Sequence, residues 1–351
     1  MSYLVEADHK LLQYSGRIDF DAPKEPVFVY AGSWVKIRFR SGYIRVLLEN
    51  HHSYYLNYMG YILDGVQGKF LLNDDKNTNT YNIKENLSEG EHELLLFKRM
   101  DACHHVIFRG FEIEDSGEVL PVSKMSNRRI EVFGDSVSCG EVSEAIEYTG
   151  KGDPENHNGL YSNSWYSYSW IAARKLNAEL HITSQGGAAL LDQTGWFHGP
   201  DYLGLYSIYD KIEYNPDICP VKLWDFQKWI PQVVVFAFGQ NDNHPDDIMA
   251  KDYHSEASVN WRHSYLSFLE KMMLLYPKAH FILTTTILNH DVIWDKAISE
   301  VCDTIDNSRV HRFFYGKNGC GTPGHIRIAE AEEMADELVG FIETLGDIWN
   351  E

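Results

Sequence analysis

The chain is poor in cysteine and in positive charge, and it lacks any long apolar run. Its 351 residues include five cysteines: Cys103, Cys139, Cys219, Cys302 and Cys320. They are scattered, odd in number and free of CxxC spacing, which argues against a disulfide framework or a zinc knuckle and suits a reducing compartment. Lysine and arginine total 31 against 51 acidic residues, a formal charge of -20, which opposes binding to phosphate backbones and anionic lipid heads. Neither nucleic acid nor a membrane surface is therefore an expected partner. No segment is long and apolar enough to cross a bilayer. The first ten residues carry Glu6 and Asp8 where a signal peptide needs a basic start followed by an apolar run, so the expected location is cytoplasmic. The length suggests two domains, no internal repeat is found, and the oligomeric state stays open.

What is present divides into two halves of different periodicity. From Ser15 to Phe111 the chain is a series of short segments rich in β-branched and aromatic residues. Trp34-Val35-Lys36-Ile37-Arg38-Phe39 and His92-Glu93-Leu94-Leu95-Leu96-Phe97 are examples, and Ser41-Gly42, Asp64-Gly65 and Glu89-Gly90 supply turns between such segments. Alternation of period two predicts antiparallel strands, hence a β-sandwich or jelly roll over residues 1–124. From residue 125 to 351 strands alternate with helices, which predicts an α/β domain built on a parallel, flavodoxin-like sheet. The expected strands are 130–133, 180–184, 233–238, 281–286 and 310–314. The expected helices are 165–176, 259–276, 293–305 and 326–345, the last with Met334, Leu338, Ile342 and Leu345 on one face.

In open parallel sheets ligands bind beyond the carboxyl ends of the strands. The first strand ends in Gly134-Asp135-Ser136, which offers Ser136 as a nucleophile and Asp135 as the anchor of its turn; such a pair can also be a simple helix cap. A serine hydroxyl attacks poorly unless a base takes its proton and donors hold the oxyanion. Gly187, in Ser184-Gln185-Gly186-Gly187 after the second strand, can bring a backbone N–H close to a reacting oxygen. Asn241, in Gly239-Gln240-Asn241-Asp242 after the third strand, offers an amide. Both segments are also compatible with plain turns. Among the 16 histidines, His325 stands directly before the last amphipathic helix and is the expected base. His244 and His290 follow the third and fourth strands and are read as substrate contacts or surface residues. Trp196, Trp261 and Trp294 are possible stacking platforms for a ligand ring, with Trp294 preferred. Cys139 is read as a structural thiol. Adjacent histidines on a strand face opposite ways, so His51-His52 and His104-His105 make poor metal pairs, and no metal or cofactor is expected.

Gly134-Asp135-Ser136, Gly187, Gly239-Gln240-Asn241-Asp242 and His325 occur in the order of the four blocks of the SGNH (GDSL-type) hydrolases, and the pattern resembles that family. The N-terminal half sharpens the likeness. Residues 34–39, Ile62-Leu63-Asp64-Gly65, Gly90-Glu91-His92, Lys98-Arg99-Met100-Asp101-Ala102 and Trp224-Asp225-Phe226 resemble carbohydrate esterase family two, whose catalytic domain follows a jelly roll. The resemblance implies a serine esterase that removes O-acetyl groups from acetylated oligo- or polysaccharides such as xylan or glucomannan. Other acyl-ester substrates, or sugar binding without catalysis, are the rival readings. One departure bears on mechanism. The usual last block carries aspartate three residues before the histidine, and Thr322 stands there. A Ser136-His325 dyad is therefore expected, its imidazole oriented by a backbone carbonyl, with Asp246 or Asp291 as the alternative acid. Gln185 and Asn243 also depart from the family pattern and are expected to alter only the cleft shape.

Overall fold

The computed structural model describes residues 2–102, 104–198, 201–215 and 218–350; Cys103 lies outside them. The N-terminal half forms two six-stranded antiparallel sheets. Strand Trp34–Arg40 shows why: Val35, Ile37 and Phe39 are buried, while the residues between them are not. Those three side chains pack against Val46, Leu48, Val106 and Phe108 of the other sheet, which closes one core between the two layers.

The C-terminal half is built on five parallel strands, Arg129–Gly134, Glu179–Ser184, Val233–Ala237, His280–Thr284 and Val310–Arg312, in the spatial order second, first, third, fourth, fifth. This is the flavodoxin-like order. Both faces are covered, so the central strand Val233–Ala237 is apolar throughout. Val233, Val235 and Ala237 face helices Tyr168–Lys175 and Ile328–Thr344, whereas Val234 and Phe236 face Glu256–Leu275 and Val292–Ile305.

Helix boundaries differ from expectation where capping chemistry intervenes. The Ser167 hydroxyl accepts from Trp170 N–H at 3.2 Å, so the first long helix starts at Tyr168, after a 3-10 turn at Ser164–Tyr166. The Ser255 hydroxyl accepts from Ser258 N–H at 3.2 Å and starts the next long helix at Glu256. The segment between the second and third strands holds a short helix, Leu205–Ile208, and a two-stranded ribbon, Lys211–Glu213 with Lys222–Leu223, neither of which carries a periodic apolar pattern.

The halves share their cores. Val29, Tyr30 and Ala102 join the cluster on one face of the parallel sheet, and Ala31 and Phe97 join that on the other. Between them Arg17, fully buried, reaches Glu131 of the first parallel strand at 2.8 Å. Glu131 also accepts from Thr183 and Tyr276 hydroxyls, both at 2.7 Å, so the buried charge pair is hydrogen-bonded on several sides.

Candidate active site

The first parallel strand stops at Gly134, and Asp135 caps the four-residue helix Ser136–Cys139, its Oδ1 accepting from Val137 N–H at 3.0 Å. This places Ser136 at the carboxyl edge of the sheet. Asp135 is wholly buried, and its second oxygen accepts from Gln240 Nε2 at 2.7 Å and Asn241 Nδ2 at 3.1 Å. Burial pushes its carboxyl up to about 6 against these hydrogen bonds. Asp135 thus ties the serine turn to the third-strand loop, the anchoring role read from the sequence.

Ser136 Oγ lies 2.8 Å from His325 Nε2, within hydrogen-bond distance. The other ring nitrogen donates to a carboxylate: His325 Nδ1 lies 2.6 Å from Asp153 Oδ2. This overturns the expected dyad with a backbone carbonyl. Asp153 sits in Gly150-Lys151-Gly152-Asp153-Pro154, an irregular segment after the nucleophile helix, and reaches the histidine from a position 172 residues away in sequence. Neither alternative acid takes part. Asp246 pairs with Lys251, and Asp291 caps helix Val292–Ile305. Thr322 is buried and makes no hydrogen bond to His325 among the described residues; its backbone carbonyl accepts from Asn289 N–H.

Three features hold Asp153. Its Oδ1 accepts from His325 N–H at 3.0 Å and from Arg327 Nη2 at 2.8 Å. Arg327 is itself fully buried and donates from Nε to Ala145 O at 3.1 Å. A Cβ on Gly324 would meet Lys151 O at 2.6 Å and Asp153 N at 3.0 Å, so only glycine lets the two segments approach. Burial works to raise the Asp153 carboxyl, but the hydrogen bonds and charges of His325 and Arg327 hold it well below the usual carboxylate range. Nothing local to either block marks Asp153 as a partner. The arginine two residues beyond His325, at the start of a helix and on its buried side, is the one sequence signal for a buried anion nearby.

Glu141 is a further carboxyl that sequence reading missed. Its Oε2 lies 3.8 Å from His325 Nε2. Burial, together with Asp101, Asp153 and Asp135, raises the Glu141 carboxyl, opposed by His325. Burial works to lower the His325 imidazolium, but Glu141 and Asp153 outweigh it and raise the ring above its ordinary value.

The oxyanion candidates converge on the same cleft. Gly187 adopts φ +75°, and its carbonyl accepts from Trp196 and Phe197 N–H at 2.7 and 3.1 Å. Neither Ser136 N–H nor Gly187 N–H donates a hydrogen bond to any described residue. Asn241 Nδ2 lies 3.1 Å from Asp135 Oδ2 and 3.1 Å from Ala188 O, so an oxyanion would share its protons with these acceptors. Gln185 does more than shape the cleft. Its amide donates to Asp101 Oδ2 at 2.9 Å, and the same oxygen accepts from Gly186 N–H at 2.8 Å. Asp242 fixes the facing loop, accepting from Leu190 N–H and Trp261 Nε1, and burial pushes its carboxyl up to about 7.

A cleft of about 810 Å³ opens over Ser136 and His325, and its lining includes Tyr54, Tyr55, Trp196, Phe197, His198 and Asn241. Trp196 is 57 % exposed and stacks on His244, ring centroids 3.5 Å apart. The expected platform, Trp294, is instead fully buried in the helix layer against Trp261, its Nε1 bonded to Asp247. His290 is sealed as well, bonded to Leu288 O and Asp295, and cannot touch substrate. His244 backs Trp196 from behind. Cys139 is buried, and burial holds its thiol well above the ordinary range, which suits a packing role. Tyr54 and Tyr55 come from the loop after strand Ile44–His52 of the β half, a tyrosine pair whose only sequence signal was its position between two strands.

Comparison with known proteins finds carbohydrate esterases among those similar to this chain. The family model described as carbohydrate esterase 2 N-terminal matches residues 14–122. The cellulase/esterase CelE of Acetivibrio thermocellus is 28 % identical over 96 % of this chain, and the chain spans 40 % of that protein's length. An acetylxylan esterase / glucomannan deacetylase of Cellvibrio japonicus is 24 % identical over 96 % of the chain and 92 % of its own length. The structure of a family two carbohydrate esterase from Clostridium thermocellum in complex with cellohexaose is 28 % identical, with a TM-score of 0.77 over 95 % of this chain and 98 % of that one. Along nearly its whole length this chain is similar to family two carbohydrate esterases, and the model of their N-terminal domain matches residues 14–122.

Proposed function

We propose that the protein is a carbohydrate O-acetyl esterase acting on acetylated xylan- or glucomannan-type oligo- or polysaccharides, with Ser136, His325 and Asp153 as its catalytic triad. The observation that carries this reading is the unbroken relay from Ser136 Oγ through His325 to Asp153 at the floor of an open cleft. Ser136 Oγ attacks the acetyl carbonyl carbon as its proton passes to His325 Nε2, while Nδ1–H stays on Asp153. The Ser136 and Gly187 N–H groups, having no acceptor among the described residues, are the first donors to the oxyanion, and Asn241 is the third. The protonated His325 gives its proton to the departing sugar oxygen. It then takes a proton from the water that attacks the acetyl-enzyme and passes it to Ser136 Oγ as acetate leaves.

Sugar recognition is assigned to exposed Trp196 and Tyr54 with Tyr55, aromatic faces suited to pyranose rings. The named activity of the Cellvibrio relative and the oligosaccharide complex of the Clostridium structure support the substrate class. The test is acetate release from acetylated xylo-, manno- and gluco-oligosaccharides beside longer acyl esters. Release from acetylated sugars that is abolished in Ser136→Ala is expected. A preference for long acyl chains, or undiminished release by the variant, overturns the reading.

A further inference from the structure

A second cluster of chemistry-bearing side chains lies where the β half meets the ribbon inserted between the second and third parallel strands. His105 belongs to strand His104–Glu114, Glu213 ends strand Lys211–Glu213, and Cys219, whose N–H donates to Asn215 O, follows it in sequence. One atom from each, His105 Nδ1, a Glu213 carboxylate oxygen and Cys219 Sγ, lies within 4.8 Å of the others. Cys219 Sγ donates to Glu213 Oε2 at 2.8 Å, and His105 Nδ1 is 3.6 Å from the same oxygen.

Two further observations point to a ligand. His105 is 5 % exposed, yet its Nδ1 has no hydrogen-bond partner, an expensive state for a buried polar atom. A cavity of about 10 Å³, room for one small sphere, is lined by His105, Glu213 and Cys219 together with Val29 and Ala102. The His105 ring is already held in place, its edge against His51 with centroids 4.7 Å apart, while His51 is held by Glu49.

We infer that His105, Glu213 and Cys219 form a zinc site, with a water as fourth ligand, that pins the inserted ribbon to the β half. Imidazole, carboxylate and thiolate are the donor types of tetrahedral zinc. Its usual bond lengths set donor atoms roughly 3.3–3.7 Å apart. The His105–Glu213 pair has that spacing, and replacing the thiol proton by the metal lengthens the Cys219–Glu213 contact to it. On binding, the Cys219 proton leaves to solvent and its sulfur electron pair goes to the metal; no redox change occurs. His105 coordinates through Nδ1 with its proton on Nε2. Glu213 is buried, whereas Cys219 is half-buried, which leaves a side for entry. The site was hidden in the sequence because its ligands come from separate segments and show no metal-binding spacing.

Cobalt is the probe. Metal-free protein titrated with Co2+ is expected to bind one equivalent with a thiolate-to-metal charge-transfer absorption that Zn2+ displaces. Cys219→Ser is expected to lose the absorption and Cys302→Ser to keep it. No such absorption in the parent protein, or the same absorption in Cys219→Ser, overturns the inference. Should Cys219→Ser fail to fold, alkylation of the parent protein with peptide mapping decides: Zn2+ is expected to slow labelling of Cys219 roughly tenfold or more, and equal rates with and without Zn2+ overturn it. These readouts are independent of ester hydrolysis and stand or fall apart from the esterase reading.

Discussion

Asp153 takes the role for which the position of Thr322 offered no acid. A carboxylate on His325 Nδ1 fixes the tautomer whose Nε2 accepts the serine proton, and it stabilises the imidazolium that forms. Asp153→Asn keeps the volume but not the tautomer or the charge. Turnover is expected to fall by about 10⁴, measured as kcat on an acetylated oligosaccharide; an orienting backbone carbonyl would leave kcat nearly unchanged. Glu141 acts on the same ring from the other side, and its charge helps to raise the imidazolium above its ordinary value. Since the base must be neutral, activity rises with pH through the His325 titration. Removing a nearby anion makes the ring easier to deprotonate. Glu141→Gln is therefore expected to move the acid limb of the kcat/KM profile to lower pH, and a limb that stays in place or moves up contradicts this.

At the scale of elements, the chemistry sits on three strand ends joined by cross-links. The Asp135 carboxylate joins the serine turn to Gln240 and Asn241, and Asp242 joins the third-strand loop to Leu190 in the second-strand loop. Gly187 lies between these ties. A Cβ there would meet Phe197 N at 2.9 Å and Trp196 C at 3.0 Å on a backbone at φ +75°. Gly187→Ala is expected to cost about 1–2 kcal/mol of strain. Displacement of its N–H should lower kcat by roughly 10², read by comparing kcat with the thermal midpoint. The parallel strands and their helices were legible because each carries a repeating apolar pattern, as in Val233–Ala237 and the face formed by Met334, Leu338 and Ile342. The inserted ribbon was not, since its strands are two or three residues long and set no period.

Across the whole molecule, the β half is part of the active site. Asp101, beyond strand His92–Lys98, accepts from Gly186 N–H and Gln185 Nε2 and so holds the loop that presents Gly187. Tyr54 and Tyr55 wall the cleft from the same half. Asp101→Ala is expected to lower kcat roughly 10²-fold with a smaller change in KM, and Asp101→Asn, which keeps an acceptor, should restore part of it; equal losses in both variants would point to a general defect in folding. The sequence by itself determined the layer architecture and pointed to Ser136, Asp135, Gly187, Asn241 and His325, which the fold gathers around one cleft, because strand-end positions and periodic burial are local properties of the chain. Only the tertiary structure decided that Asp153 is the carboxylate on His325, that Trp196 and not Trp294 faces the cleft, and that Glu141 and Asp101 lie beside it. Those assignments depend on which distant segments meet and which face of an aromatic is covered, and no spacing along the chain encodes either.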